Sequence, residues 1–480
     1  MVTSNQFASA RARRWMASVT VLLGTIALGF SATMVMVALP AMMKAFDVNQ
    51  DMIQWMATGF QITATTSILA TGWLTGRFGL RAVYIAALLI FTIASLLGAY
   101  SDIASVAIAA RVLQGVAMGL VPAVALITIA QVFPAHAVGL AMGVFGVGAV
   151  LAPAIGPAVA GVLLAPYDWP VIFLFPLLFS IPALLLAVRY IPDVSRAAVQ
   201  KPFDWLGMLL LTIFIIALLN VTGLGLNSGW THWLTLACLG LSLLSLLCLV
   251  VWQLRCAAPL LELELLRDSR FRQVLGVALV YGFCLYGTSY LIPYFLQSGA
   301  GYTPADSGAV QVPGGVIVVL VIFVAGALCD RVGARRVTQA GIALFALSSL
   351  GFTFLMPGAG FWQVAAWFAL SRIAMGMLIP STSVAAIQSV TPQLLPYAST
   401  TMNFALQLGG AIGINVFAIF YQWRLGTHEE PVAGAVAAFH ECFWLAVGLM
   451  VLALLPATRI SKSPATEGYN AANTKVSSCP

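Results

Sequence analysis

The feature that most constrains this chain is a succession of long apolar runs, separated by short charged or Pro/Gly-rich breaks, that continues almost from end to end. A helix needs roughly 20 apolar residues to cross about 30 Å of hydrocarbon, whereas a membrane barrel is written in weakly alternating segments of about ten. The runs here are long and continuous, so they predict helices, about 14 of them by that length rule. They fall near 16–39, 53–74, 80–100, 103–130, 137–164, 170–191, 205–226, 232–254, 272–298, 308–329, 336–356, 361–389, 400–423 and 439–457. With 61% hydrophobic residues, 8% charged residues and a mean hydropathy of +0.99, the chain is excluded from folding in water. The fold class is all-α integral membrane protein.

Orientation follows from Lys and Arg, which favour cytoplasmic loops. With the N-terminus inside, every Lys and Arg collects on one face except Lys44 and Arg424 on the other and Arg111 and Arg372 within spans. Both termini are therefore expected in the cytoplasm. The formal charge of +7 is accounted for by this topology and by attraction to anionic lipid, so no nucleic-acid partner is implied. The run after Arg11, Arg13 and Arg14 is too long for a signal peptide and reads as an uncleaved first span after a cytoplasmic N-terminus, 1–15. The end, 458–480, reads as a disordered cytoplasmic tail. The seven cysteines show no metal spacing and no disulfide framework, and neither metal nor cofactor is expected.

An internal repeat is the next informative feature. GWLTGRFGLRAV (72–83) aligns without gaps with GALCDRVGARRV (326–337), matching Gly72, Leu74, Arg77, Gly79, Arg81 and Val83. Each segment closes a span on the cytoplasmic side, the second span and the tenth. If two extra spans separate two six-span halves, the tenth span is the second of the later half. One element later, RVLQGVAMG (111–119) and SRIAMGMLIP (371–380) each put an Arg, Arg111 or Arg372, four residues before a Gly. Two motifs in register predict duplication: a bundle over 16–191, two added helices over 205–254 and a second bundle over 272–457. In the loop motif a tight turn at Gly79 or Gly333 reverses the chain, while Arg77, Arg81, Arg331, Arg335 and Arg336 can meet carboxylates, helix C-termini or lipid phosphate. Such contacts could latch one conformation; the alternative is that these arginines only obey the positive-inside rule.

With these motifs the chain resembles the major facilitator superfamily, and within it the 14-span drug:proton antiporter branch close to Emr-type multidrug exporters. The resemblance runs from about Trp15 to Ile460. It rests on the paired loops, on RVLQGVAMG, on VALP ending the first span (37–40), on GVGAVLAPAIGPAVAG in the fifth (146–161) and on LIPYFLQSGAGYTPADSGAVQVPGG (291–315). It implies two six-helix bundles plus two extra helices, and a secondary transporter that exports small amphipathic molecules by alternating access and proton antiport, not an enzyme. It further implies a bacterial inner-membrane location, a small-molecule substrate, the lipid bilayer as a partner, and room for a periplasmic adaptor protein and an outer-membrane channel. In the fifth-span motif, Gly146, Gly148, Gly156 and Gly161 let another helix approach, and Pro153 and Pro157 allow bending. In the family that segment is associated with export; close packing without a directional role is the other reading.

Several polar groups are candidates for a substrate cavity. Arg111 stands about eight residues into a span entering from outside, roughly 12 Å deep, where a cation is costly and usually faces a cavity or a partner. Ser31 and Thr33 are the hydroxyls of the first span near this depth. Gln61 and Thr65, Arg111 and Gln114, and Asn403 and Gln407 each share a helix face, and Tyr286, Tyr290 and Tyr294 form a stripe. Each alone is as readily an interhelical packing residue; only their convergence makes a site. No carboxylate is left at mid-membrane. The family's first-span Asp appears as Ser31, its Asn as Met36 and its first loop Asp as Gly76, although Asp330 keeps the loop Asp of the second repeat. Either edge groups such as Asp51, Glu441 or Asp330 carry a coupling proton, or Arg111 is an uncompensated cation that attracts an anionic substrate. An uncoupled facilitator and a non-transporting sensor remain open. A membrane enzyme would need a nucleophile with a base, or metal ligands, at one depth, and no such cluster is present.

Overall fold

In the computed structural model the described residues are 4–133, 135–192, 202–256, 259–260, 263–356, 358–390, 395–427 and 431–460, and they are almost wholly helical, with no strand among them. Continuous helix is what a bilayer demands, because hydrocarbon offers no partner to an unpaired N–H or C=O. Every expected span coincides with a helix or a broken pair of helices. Among the described residues, eleven helical segments are long and apolar enough to cross a membrane by length and composition. Two other long helices fall short of that mark: that at Trp55–Phe78 carries Gln61 and a run of threonines, and that at Ala334–Phe352 opens on Arg335 and Arg336.

The chain clusters into two compact units. The first comprises Met1–Ile215, Cys256–Leu260 and Thr303–Ala309; the second comprises Ile216–Arg255, Leu261–Tyr302 and Val310–Pro480. The helices, in chain order, begin with α1 (Ser4–Phe46), α2 (Gln50–Ile53), α3 (Trp55–Phe78), α4 (Leu80–Ala99), α5 (Ala104–Val132), α6 (Ala135–Leu164), α7 (Val171–Leu174) and α8 (Leu177–Tyr190). There follow α9 (Trp205–Ser228), α10 (Trp233–Arg255), α11 (Ser269–Ser298), α12 (Pro304–Ala309) and α13 (Val312–Val332), then α14 (Ala334–Phe352), α15 (Phe361–Gln388), α16 (Leu395–Leu425) and α17 (Pro431–Ala457).

Two boundaries differ from expectation. α1 is helical from Ser4, so residues assigned to an N-terminal extension before 16 continue the first helix, whose 43 residues exceed what the hydrocarbon core requires. Arg and Ala are strong helix formers, and nothing in SARARRW interrupts the turn pattern. The expected span at 170–191 is divided into α7 and α8 at Pro176, which has no N–H to continue the ladder. The residues 461–480, expected to be a disordered tail, lie outside the described residues.

In the first unit the core gathers α1, α4, α5 and α8 around Tyr84, Phe91, Val121 and Val124. The Tyr84 hydroxyl donates to the Thr20 carbonyl at 2.9 Å, so its polar tip is satisfied inside the packing. In the second unit α11 and α16 touch backbone to backbone: a Cβ on Gly282 would strike the Leu406 carbonyl, and one on Gly409 or Gly413 the carbonyls of Leu279 or Phe283. Small residues at such contacts let helices close without a hydrophobic driving force. α10 buries Thr235, Ser242, Ser245 and Gln253 and leaves Leu243, Leu244 and Leu247 exposed, the inverse of a helix in water and the pattern of one solvated by lipid.

Candidate functional site

Arg111 is 1% exposed, lies on α5 and is held by α1, α3 and its own helix in the first unit. Its Nη1 donates to Ser31 Oγ on α1 at 2.8 Å, to the Ser31 carbonyl at 3.2 Å and to Gln114 Oε1 at 2.7 Å. Its Nε donates to the Met56 carbonyl of α3 at 3.1 Å, and its Cζ lies 4.2 Å from the centre of the Phe60 ring. Ser31 Oγ is also 3.2 Å from Gln114 Oε1, and Gln114 Nε2 donates to Ser95 Oγ of α4 at 2.8 Å. Nη2 has no hydrogen-bond partner. None of these partners carries a negative charge, so a buried guanidinium is stabilised by neutral dipoles and an aromatic face alone.

Local packing explains why the ring lies under the guanidinium. Gly59 meets Val112, a Cβ on Gly115 would collide with the Phe60 carbonyl and Thr63, and one on Gly119 would come within 2.6 Å of the Ala64 carbonyl. α3 and α5 are thereby in backbone contact, sealed by Thr63 Oγ1 donating to the Val112 carbonyl at 2.7 Å. Gly115→Val is expected to force these helices apart and to cost about 1–3 kcal/mol, as overpacking does. A lowered melting temperature of the purified protein, together with lost transport, checks this; an unchanged melting temperature would show that the contact is dispensable.

The repeat-related arginine occupies a similar setting in the second unit. Arg372 Nη2 donates to Ser289 Oγ of α11 at 3.1 Å, and its Cζ lies 4.3 Å from the Phe368 ring centre. Nη1 is 3.3 Å from Met375 Sδ, and Nε has no partner. Each arginine thus rests on a Phe and bonds a serine from the first long helix of its half, α1 or α11. Arg372 is half-buried where Arg111 is enclosed.

The structure brings Ser31, Arg111 and Gln114 into one network. Thr33 folds its hydroxyl back on the Gly29 carbonyl at 3.1 Å, and Thr65 does the same to Gln61 at 2.7 Å; Gln61 and Thr65 are buried. Tyr290 and Tyr294 are buried and stacked with ring centres 6.2 Å apart, and Tyr294 meets Tyr421 edge-on at 5.7 Å, while Tyr286 is half-buried. Asn403 is exposed and Gln407 half-buried, both on α16. Ser95, Phe60, Ser289 and Phe368 escaped sequence reasoning. Ser289 had a signal, since it precedes Tyr290 in the helix that repeats α1.

The two loop motifs adopt one backbone conformation. Gly79 (φ 84, ψ 158) and Gly333 (φ 88, ψ 145) each end one helix and begin the next in a region open only to glycine. Arg81 Nε donates to the Ile191 carbonyl at the C-terminus of α8 at 2.8 Å, a cation against the negative end of a helix. Arg77 is exposed with its Cζ 5.5 Å from the Trp73 ring centre, Arg331 and Arg336 are exposed, and Arg335 is half-buried. The side chain of Asp330 lies outside the described residues. Gly72 and Gly146 have open space where a Cβ would be. Gly148 and Gly156 admit a neighbouring helix, packing on Leu22 and Thr33 of α1, and Gly29 packs on Pro153. Gly161 packs on Pro304 and Ala305 of α12, and Gly308 of α12 packs on Pro157. Pro153 and Pro157 lie within α6, which continues through both. Of the edge carboxylates, Asp51 sits in α2, and Glu441 holds Arg424 with both oxygens, one at 2.6 Å from Nη2.

The sequence matches the family model described as Major Facilitator Superfamily over residues 21–414 and 315–476. It is 29% identical over 409 residues to the multidrug resistance protein B homolog of Mycobacterium tuberculosis, covering 84% of this chain and 75% of that one. It is 28% identical over 444 residues to the lincomycin resistance protein LmrB of Listeria monocytogenes (90% and 94% covered). To the riboflavin transporter RibZ of Clostridioides difficile it is 24% identical over 452 residues (92% and 96%). Among solved structures, a D-xylose–proton symporter superposes with a TM-score of 0.67 at 15% identity, covering 95% of this chain and 99% of that one, which is likeness of fold.

Proposed function

Since the chain belongs to the major facilitator superfamily, and is a multi-pass membrane transporter and not an enzyme, we propose that it exports small amphipathic molecules, drug-like compounds or metabolites such as siderophores, by alternating access and proton antiport. Two relatives are named for resistance, which supports export of amphipathic compounds. The Gly/Pro-rich fifth-span motif supports the same direction of transport. The Lys and Arg bias supports a bacterial inner-membrane location with both termini in the cytoplasm. A periplasmic adaptor and an outer-membrane channel are partners that co-purification from cross-linked membranes would reveal.

The observation that carries most weight is Arg111, enclosed with neutral partners only and with one nitrogen, Nη2, unsatisfied. It favours a second, narrower reading in which the exported molecule brings the negative charge that the site lacks. One proton exchanged for one neutral substrate supports about tenfold accumulation per unit of pH gradient, because 1.4 kcal/mol is a factor of ten. In proteoliposomes, accumulation that rises with an imposed pH gradient and collapses with nigericin is the expected result. Flux that ignores the gradient would make the protein a facilitator.

A further inference from the structure

Arg372, on α15 of the second unit, is a cation that a solute can reach. A Cβ on Gly314 of α13 would come within 2.9 Å of Arg372 Cγ, so the stem of the side chain is covered. The Phe368 ring lies against one face of the guanidinium, 4.3 Å from Cζ, and Nε is buried without a hydrogen-bond partner. Yet the residue as a whole is only half-buried. With stem, ring face and Nε enclosed, the surface that it keeps is that of its terminal nitrogens. Arg111, by contrast, is 1% exposed.

Donors at that end of the side chain outnumber their acceptors. A guanidinium is a fork of N–H groups with no acceptor of its own. Here Nη2 meets an oxygen, Ser289 Oγ at 3.1 Å, while Nη1 meets only the Met375 thioether, a weak acceptor, at 3.3 Å. No carboxylate among the described residues pairs with Arg372. Ser289 is half-buried as well, and its own proton reaches no acceptor among the described residues. Other hydroxyls of α11 behave differently: Thr288 Oγ1 donates to the Cys284 carbonyl at 2.8 Å and Ser298 Oγ to the Tyr294 carbonyl at 2.7 Å. Closing on the backbone one turn back is the ordinary course for a hydroxyl in an apolar helix. Ser289 instead turns its oxygen to a cation and keeps its proton to give.

We infer that Arg372 and Ser289 form a binding site for a carboxylate, one oxygen taking an N–H of a terminal guanidinium nitrogen and the other taking the Ser289 proton. A carboxylate has two acceptor oxygens and no proton, which is the complement of a cationic and a neutral donor side by side. For a third oxygen, as on a sulfonate, the immediate surroundings are the Phe368 ring and the Met375 thioether, neither of them a donor. The site narrows the anion reading of export to carboxylates, and it rests on that reading solely for the claim that the bound anion is the one carried. Binding is read without a gradient, so failure of export and failure of this site are separate results.

Benzoate and benzamide share one shape and differ in charge. Equilibrium dialysis of radiolabelled benzoate at neutral pH against the full-length protein in phosphatidylcholine nanodiscs, with empty nanodiscs subtracted, tests the site. Saturable binding is expected, displaced by unlabelled benzoate and not by the same concentration of benzamide. Ser289→Ala should weaken it about 10-fold, the worth of one hydrogen bond to a charged group, and Arg372→Gln, which also loses the cation, about 100-fold or more. Both variants are compared in protein that keeps its melting transition; where Arg372→Gln does not fold, Ser289→Ala decides alone. Benzoate binding that equals the empty-nanodisc background, that benzamide displaces equally well, or that is as tight in the folded variants as in the parent protein overturns the inference.

Discussion

Replacing Arg111 with alanine is expected to lower transport by about 100-fold or more, and replacing it with lysine is expected not to restore it. The substitution removes all four hydrogen bonds of the guanidinium, bonds to a charged group being worth roughly 1.5–3 kcal/mol each, and every 1.4 kcal/mol is a factor of ten. The guanidinium reaches α1 and Gln114 through Nη1, α3 through Nε, and lies flat on Phe60. An ammonium is a compact point charge that cannot span those acceptors and stack at once. The two variants should be compared at equal amounts of membrane-inserted protein with a retained melting transition, so that lost packing is not mistaken for lost function. If both transport every tested anion at the parental rate, Arg111 is a structural residue and the anion reading is wrong.

What was legible in the sequence was what sequence encodes locally. The loop repeat was visible because a φ near +85° with extended ψ admits only glycine, so Gly79 and Gly333 had to recur at one offset. Arg111 was visible because a cation in hydrocarbon is rare enough to be noticed alone. Its partners were less visible: Ser95, Phe60 and Ser289 are ordinary residues that matter only because separate helices meet. Hydroxyls illustrate the limit from the other side. Thr33 and Thr65 share a sequence context that allows a cavity, yet each donates to the carbonyl one turn back, which a polar group in an apolar helix can do without any site. Glycines divide in the same way, since Gly148 and Gly146 belong to one motif while only Gly148 packs on another helix.

Ser31→Asp is expected to convert the selectivity of the site. Ser31 is 2% exposed and its Oγ lies 2.8 Å from Arg111 Nη1, so a carboxylate introduced there lands against the guanidinium. Beside an opposite charge the ionised form of a carboxyl is favoured, and the pair formed is buried and neutral overall. One obstacle is that Gln114 presents its oxygen to the same place, 3.2 Å from Ser31 Oγ. The amide can turn, because its nitrogen is bonded only to the Ser95 hydroxyl, which donates as readily as it accepts. The turned amide would give its N–H to the new carboxylate and its oxygen to Ser95, and Arg111 Nη1, losing the amide oxygen it now donates to at 2.7 Å, would pair with the carboxylate instead. With the charge of Arg111 compensated, export of anionic substrates should fall about tenfold or more, since one neutralised charge contact of 1.4 kcal/mol is a factor of ten. Neutral and cationic compounds should be kept or gained, now with stronger dependence on the pH gradient because the first helix has acquired a protonatable group. Anion export that survives the substitution, measured in the same proteoliposomes, would mean that the bare cation of Arg111 does not select the substrate and that coupling resides at the edge carboxylates instead.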